Sequence, residues 1–193
     1  MALPLKASPD ATLEDLQSVP SHLNGEILDG ELVTSPRPAP PHGQTGSGLG
    51  ILVGGPFGFG IGGPGGWWVI DEPELHLGVD PRTLAVVPDL AGWRRDTMPH
   101  LPQTAYFAQC PDWVCEVLSP STMGSDRAIK MPFYAKAGVG HAWLVDPIAE
   151  TLEVYRRVND REWLLLGAHH GAVRVRAEPF DAIEIDLTPL WSR

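Results

Sequence analysis

The sequence predicts an α/β domain with a mixed central β-sheet, helices on its faces and an additional antiparallel β extension. Three observations carry this. Residues 111–147, PDWVCEVLSPSTMGSDRAIKMPFYAKAGVGHAWLVDP, run as apolar strand, polar loop, helical segment and second apolar strand. Further short apolar runs precede this unit, and alternating runs joined by turn residues follow it. The chain has 193 residues, 43% of them hydrophobic and 20% charged, which suits one domain, 1–193, with a single core.

Residues 1–9 carry no periodic pattern and are expected to be loose. Thr12 followed three residues later by Asp15 reads as a capping box, with Leu13, Leu16 and Val19 as the stripe of a short helix ending before Pro20. Asp29-Gly30 between apolar arms is a hairpin signal, because a type I′ turn needs positive φ at both central residues. Glu26 and Glu31 flank that turn. Pro36–Pro41 is an extended linker leading to His42, and the glycine-laden stretch that follows allows a poor helix near 43–55. Gly58–Gly63 fits GxGxxG by letters only, since Pro64-Gly65-Gly66 cannot open a helix.

Trp67–Ile70, Leu75–Val79 and Leu84–Leu90 read as strands, the last with Asp89 near its end and Pro88 inside it. Residues 91–109 read as a polar loop. In the helical segment Asp126–Ala137, Lys130 and Tyr134 lie four apart and share a face. Pro132 between them predicts a kink or a helix start, and Gly138 a C-cap. Leu152–Arg156 and Trp163–Leu166 form a hairpin around Asn159-Asp160, and Val173–Arg176 and Ile183–Leu187 are outer strands. His169-His170 falls in a turn of this region.

Composition bounds the function. No apolar run is long enough to span a bilayer, and the N-terminus lacks a secretory pattern. Cys110 and Cys115 have no partners at zinc-ligand spacing and read as free thiols, so the expected compartment is the cytoplasm. The net charge of −10 argues against non-specific coating of nucleic acid, although acids can gather around a divalent ion.

Strand alternation puts Val114, Glu116 and Leu118 on one face and Trp113, Cys115 and Val117 on the other. A carboxylate among such neighbours is costly unless it is paired, hydrogen-bonded or bound to a cation. Asp89 and one of Glu26 or Glu31 also sit on apolar runs, and a helix packed on the sheet would bring Lys130 to the end of the Glu116 strand. Carboxylates with open coordination positions suit Mg²⁺ or Mn²⁺, and an ammonium nearby can orient water and stabilise charge on phosphorus. Such parts hydrolyse phosphodiesters. His42 is either a loop histidine or a hydrogen-bond partner to an acid. Trp93 beside Arg94-Arg95 could stack on a base. Ser119, His141 and Asp146 contain the residues of a hydrolase triad but lack the G-x-S-x-G elbow.

The pattern Glu26-Ile-Leu-Asp-Gly30-Glu31, His42, Pro88-Asp89, Glu116-Val-Leu-Ser119-Pro-Ser, Lys130, Tyr134, Ala-Gly138-Val and Trp143-Leu-Val-Asp146-Pro resembles the Uma-type restriction endonucleases of the PD-(D/E)XK superfamily. The resemblance spans roughly Leu13 to Trp191. It implies a restriction-endonuclease-like fold and cleavage of DNA by metal-activated water. Asp89 then takes the place of the PD aspartate, and Glu116 that of the (D/E)XK acid; these two are the metal ligands. Leu118 stands where the motif lysine would fall, so that role passes to Lys130, with Glu26 or Glu31 as the additional acid. His42 and Tyr134 are candidate partners of the site's acids. Pro132 and the glycine-rich stretch 43–66 depart from the family pattern. Duplex cleavage needs two active sites, and the outer strands offer edges for a homodimer. The competing reading is a non-catalytic module of the same fold that binds a protein or nucleic acid, which the −10 charge favours.

Overall fold

The computed structural model describes residues 10–36 and 39–191. The loose stretch expected at 1–9, and Arg37 and Pro38 of the linker, lie outside those residues. Helix α1 (Leu13–Gln17) opens on the predicted capping box, in which the Thr12 hydroxyl accepts from the Asp15 amide and the Asp15 carboxylate accepts from the Thr12 amide. Strands β1 (Leu23–Leu28) and β2 (Glu31–Pro36) pair antiparallel across Asp29 and Gly30, whose φ values of 49° and 84° make the expected turn.

Helix α2 (Pro40–Leu49) continues without a break into wider π-type turns over Gly50–Gly58. Each interior glycine costs about 1 kcal/mol relative to alanine. Leu49, Val53 and Phe57, four apart and buried against the sheet, each contribute about 1.5–3 kcal/mol by leaving water. Packing on the sheet, and not propensity, therefore holds this helix.

The six-stranded sheet has the order β3-β4-β5-β6-β7-β8. Its strands are β3 (Trp67–Asp71), β4 (Leu90–Arg94), β5 (Trp113–Val117), β6 (His141–Asp146), β7 (Thr151–Arg157) and β8 (Trp163–His170). Only β5 and β6 pair in parallel, so the sheet is mixed. The connection between them carries α3 (Met123–Ser125), a π-type turn over Asp126–Lys130, and α4 (Met131–Ala137). The wide turn runs directly into α4, with Pro132 in its first turn, where a missing N–H is tolerated. Gly138 closes α4 in the left-handed region with φ 98°. Two short strands, β9 (Arg174–Val175) and β10 (Ile185–Asp186), pair antiparallel as the outer extension.

The alternation read from β5 sets up two core layers. Trp113, Cys115 and Val117 pack with α2, Trp143, Phe180 and the C-terminal segment. Val114 and Leu118 pack with α4, Trp93 and Leu28. Several expectations change, among them the strand expected at Leu84–Leu90, of which only Leu90 lies in a strand. Residues 90–94 form a central strand and not a loop, because Leu90, Ala91 and Trp93 are fully buried between β3 and β5. Leu75–Val79 forms no strand; Leu75 makes only isolated bridges to Val86 and Phe107. His169 and His170 end β8 and do not lie in the turn beyond it. Among the described residues no helix is long and apolar enough to cross a membrane.

Candidate active site

Glu116, in β5, points toward α4 and is 3% exposed. The Tyr134 hydroxyl donates to its Oε1 at 2.5 Å, and Lys130 Nζ lies 3.5 Å from its Oε2. The four-residue spacing that puts Lys130 and Tyr134 on one helix face thus gives one carboxylate a cation and a hydroxyl donor. Lys130 Nζ also lies 2.9 Å from Glu26 Oε1, 3.4 Å from the Val87 carbonyl and 3.6 Å from Asp126 Oδ1. Glu26 Oε1 accepts in addition from the Val87 amide at 2.8 Å, which fixes it to the chain just ahead of β4.

Asp89 immediately precedes β4, and the pairing of Leu90 with Cys115 sets it level with the Glu116 end of β5. Its Oδ2 accepts from the Val117 amide at 2.6 Å and its Oδ1 lies 3.3 Å from His42 Nε2, on the first turn of α2. Asp89 and His42 line a cavity of about 210 Å³ with Gly43, Gly46, Ser47, Asp71 and Glu72. Glu72 adopts φ 45° and its amide donates to the Asp89 carbonyl, which brings the end of β3 to this mouth.

One ammonium therefore faces three carboxylates, Glu26, Glu116 and Asp126. Burial pushes the Glu116 carboxyl well up, and the Lys130 charge offsets only part of this. Burial alone would lower the Lys130 pKa, but the charges of Glu116, Glu26 and Asp126 outweigh it and raise the value. The two directions agree: burial disfavours charge on Glu116, and the three acids around Lys130 favour its ammonium. Burial also raises Asp126 and Tyr134. For His42, burial disfavours the imidazolium, yet the hydrogen bond and charge of Asp89 and the Val117 carbonyl raise the pKa on balance.

The structure brings Glu26, Glu116, Lys130 and Tyr134 into one hydrogen-bonded group, with Asp89 and His42 beside it. Glu31 stands apart, exposed next to the hairpin turn. Trp93 cannot stack on a base, because it is fully buried against Phe107 and its indole donates to the Gln109 carbonyl. Ser119, His141 and Asp146 form no triad: Ser119 bonds to Ser121 and Thr122, and His141 and Asp146 sit at opposite ends of β6. Sequence reasoning missed Asp126, Asp71 and Glu72. Asp126 carried a signal, its four-residue spacing from Lys130. Asp71-Glu72 carried a weaker one, an acidic pair closing the apolar run Trp67–Ile70.

The donor set suits a hard cation. Among the described residues no three His, Cys, Asp or Glu side chains converge as a metal-binding group. Mg²⁺, however, is commonly held by one or two carboxylates with water and substrate oxygens completing its shell. Asp89 and Glu116 would offer two, since each carboxylate oxygen keeps acceptor capacity beyond the bonds it makes here.

The fold matches that of a solved structure. A structure of "a putative nuclease belonging to DUF820 from Anabaena variabilis" superposes with a TM-score of 0.68 over 94% of this chain and 97% of that one, at 20% identity. No curated protein matches the sequence. The model of the Uma2 family, described as "Putative restriction endonuclease", matches residues 11–188, a span that holds every residue of the site. With its mixed six-stranded sheet and that match over nearly its whole length, the chain belongs to the Uma2 family.

Proposed function

We propose that this chain is a Mg²⁺- or Mn²⁺-dependent endonuclease that hydrolyses DNA phosphodiester bonds. The observation that carries the reading is the Glu26–Lys130–Glu116 group beside Asp89, in a chain of this family. Asp89 and Glu116 would hold the cation, which supplies Lewis acidity and a more acidic water. Tyr134 and the Val117 amide orient the two carboxylates. Glu26 holds the Lys130 ammonium in place and charged. Lys130 orients the attacking water and stabilises the negative charge that grows on the phosphoryl oxygens. His42 positions Asp89 through its Oδ1.

One observation favours a second reading, a non-catalytic module of the same fold: the mouth is lined by Asp71, Glu72 and Asp89, in a chain of net charge −10. Such a mouth repels a phosphodiester unless a cation intervenes. Titration of Mn²⁺ into wild type, Asp89→Asn and Glu116→Gln by calorimetry, followed by plasmid cleavage with and without EDTA, separates the two. Saturable binding lost in both variants, with EDTA-sensitive nicking by wild type, supports the enzyme. A folded wild type that neither binds Mn²⁺ nor nicks DNA supports the module.

A further inference from the structure

Edge strands are usually protected by shortness, charge, proline or a covering element. Among the described residues, strand β8 closes one side of the sheet with β7 as its only neighbour, and it runs for eight residues. From Trp163 to Val173 it carries no Asp, Glu, Lys, Arg or Pro, in a chain whose net charge is −10. Leu164, Leu165 and Leu166 are 46%, 50% and 36% exposed. Consecutive strand residues point to opposite faces, so both faces of the edge expose leucine, while Trp163 at its start is half-buried and its indole donates to the Met131 carbonyl.

The two ends of this neutral stretch carry opposite charges. Arg161 lies exposed in the turn before β8. At the far end Glu150 is fixed beside Gly171 by a backbone bond from the Gly171 amide to the Glu150 carbonyl. In the same turn Arg157 is paired with Asp160 and Glu162 with Asn159. Among the described residues neither Arg161 nor Glu150 has a side-chain ion pair.

We propose that β8 pairs antiparallel with β8 of a second copy about a two-fold axis, continuing the sheet across a homodimer. A two-fold interface needs one patch complementary to itself. The uncharged centre lets two acidic chains approach without repulsion, the three leucines leave water, and antiparallel alignment sets Arg161 of each copy against the Glu150 end of the other. The proposal is independent of the catalytic reading.

Sedimentation of the full chain tests it. Wild type is expected at twice the 20.9 kDa chain mass. Leu165→Lys and the double variant Leu164→Lys/Leu166→Lys are expected to sediment as monomers with unchanged circular dichroism, because these side chains are already solvated in the single chain. Arg161→Glu is expected to weaken the dimer about tenfold, and Arg161→Glu/Glu150→Arg to restore it. A folded wild-type monomer at tens of micromolar overturns the proposal and leaves the edge to a different partner. So does a dimer that survives the lysine variants, or a charge swap that restores nothing.

Discussion

Lys130 Nζ lies 2.9 Å from Glu26 Oε1, nearer than to either of the other carboxylates it faces. A residue of the N-terminal hairpin thus anchors the cation of the central strand–helix–strand unit, and losing that cation exposes the whole group.

Lys130→Met is therefore expected to leave Glu26, Glu116 and Asp126 facing one another in the interior. Removing one partner of a buried ion pair costs about 3–5 kcal/mol. Urea unfolding at pH 8 reads this loss. The gap to wild type narrows at pH 5, because a more acidic solution supplies the protons that buried, mutually repelling carboxylates take up. A loss under about 1 kcal/mol at pH 8 would show that the lysine is not the charge that holds these acids.

The two glutamates of the hairpin should behave differently. Glu26→Gln is expected to reduce DNA cleavage by about 10- to 100-fold through loss of Lys130 placement. Glu31→Gln, at an exposed position, is expected to leave the rate within about twofold of wild type. Equal losses in initial-rate assays of the two variants would contradict the geometry.

Tyr134→Phe removes the hydroxyl that donates to Glu116 Oε1 and leaves a buried acceptor with one partner fewer. The expected cost is about 1–3 kcal/mol in urea unfolding. Tyr155→Phe is the control: that hydroxyl donates to Glu153, which also accepts from Arg127, at a partly exposed site, and the expected cost is below about 1 kcal/mol.

The His42–Asp89 pair is expected to make stability pH-dependent. The His42 pKa is raised on folding, so the stability it contributes is fully present below the ordinary imidazole value of 6.5 and is lost as pH rises through the folded value. The melting-temperature gap between wild type and His42→Gln is accordingly expected to be larger at pH 5.5 than at pH 8.5. A gap independent of pH would mean that the imidazole acts only through packing.

Much of this architecture was legible locally. The capping box at Thr12, the turn at Asp29-Gly30 and the cap at Gly138 depend on residues within a few positions of one another, so composition at fixed offsets announces them. The strand at 90–94 was missed for a comparable reason in reverse. LAGWR has a small residue at its centre and a charge at its end, and only its placement between β3 and β5 makes it core.

The sequence by itself determined that Glu116 faces the same way as Val114 and Leu118, because a strand has a period of two, and that Lys130 and Tyr134 share a helix face, because a helical turn returns after about four residues. It left Glu26 and Glu31 equivalent, since both flank the same turn with the same chemistry. Only the tertiary structure decided between their positions, by setting Glu26 against the Val87 amide and the Lys130 ammonium while Glu31 stayed in water. The same holds for His42 beside Asp89, and for Asp71 and Glu72 at the cavity mouth. These are meetings between segments far apart in the chain. They are fixed by which faces of the sheet the helices cover, and that is a property of packing and not of any local stretch.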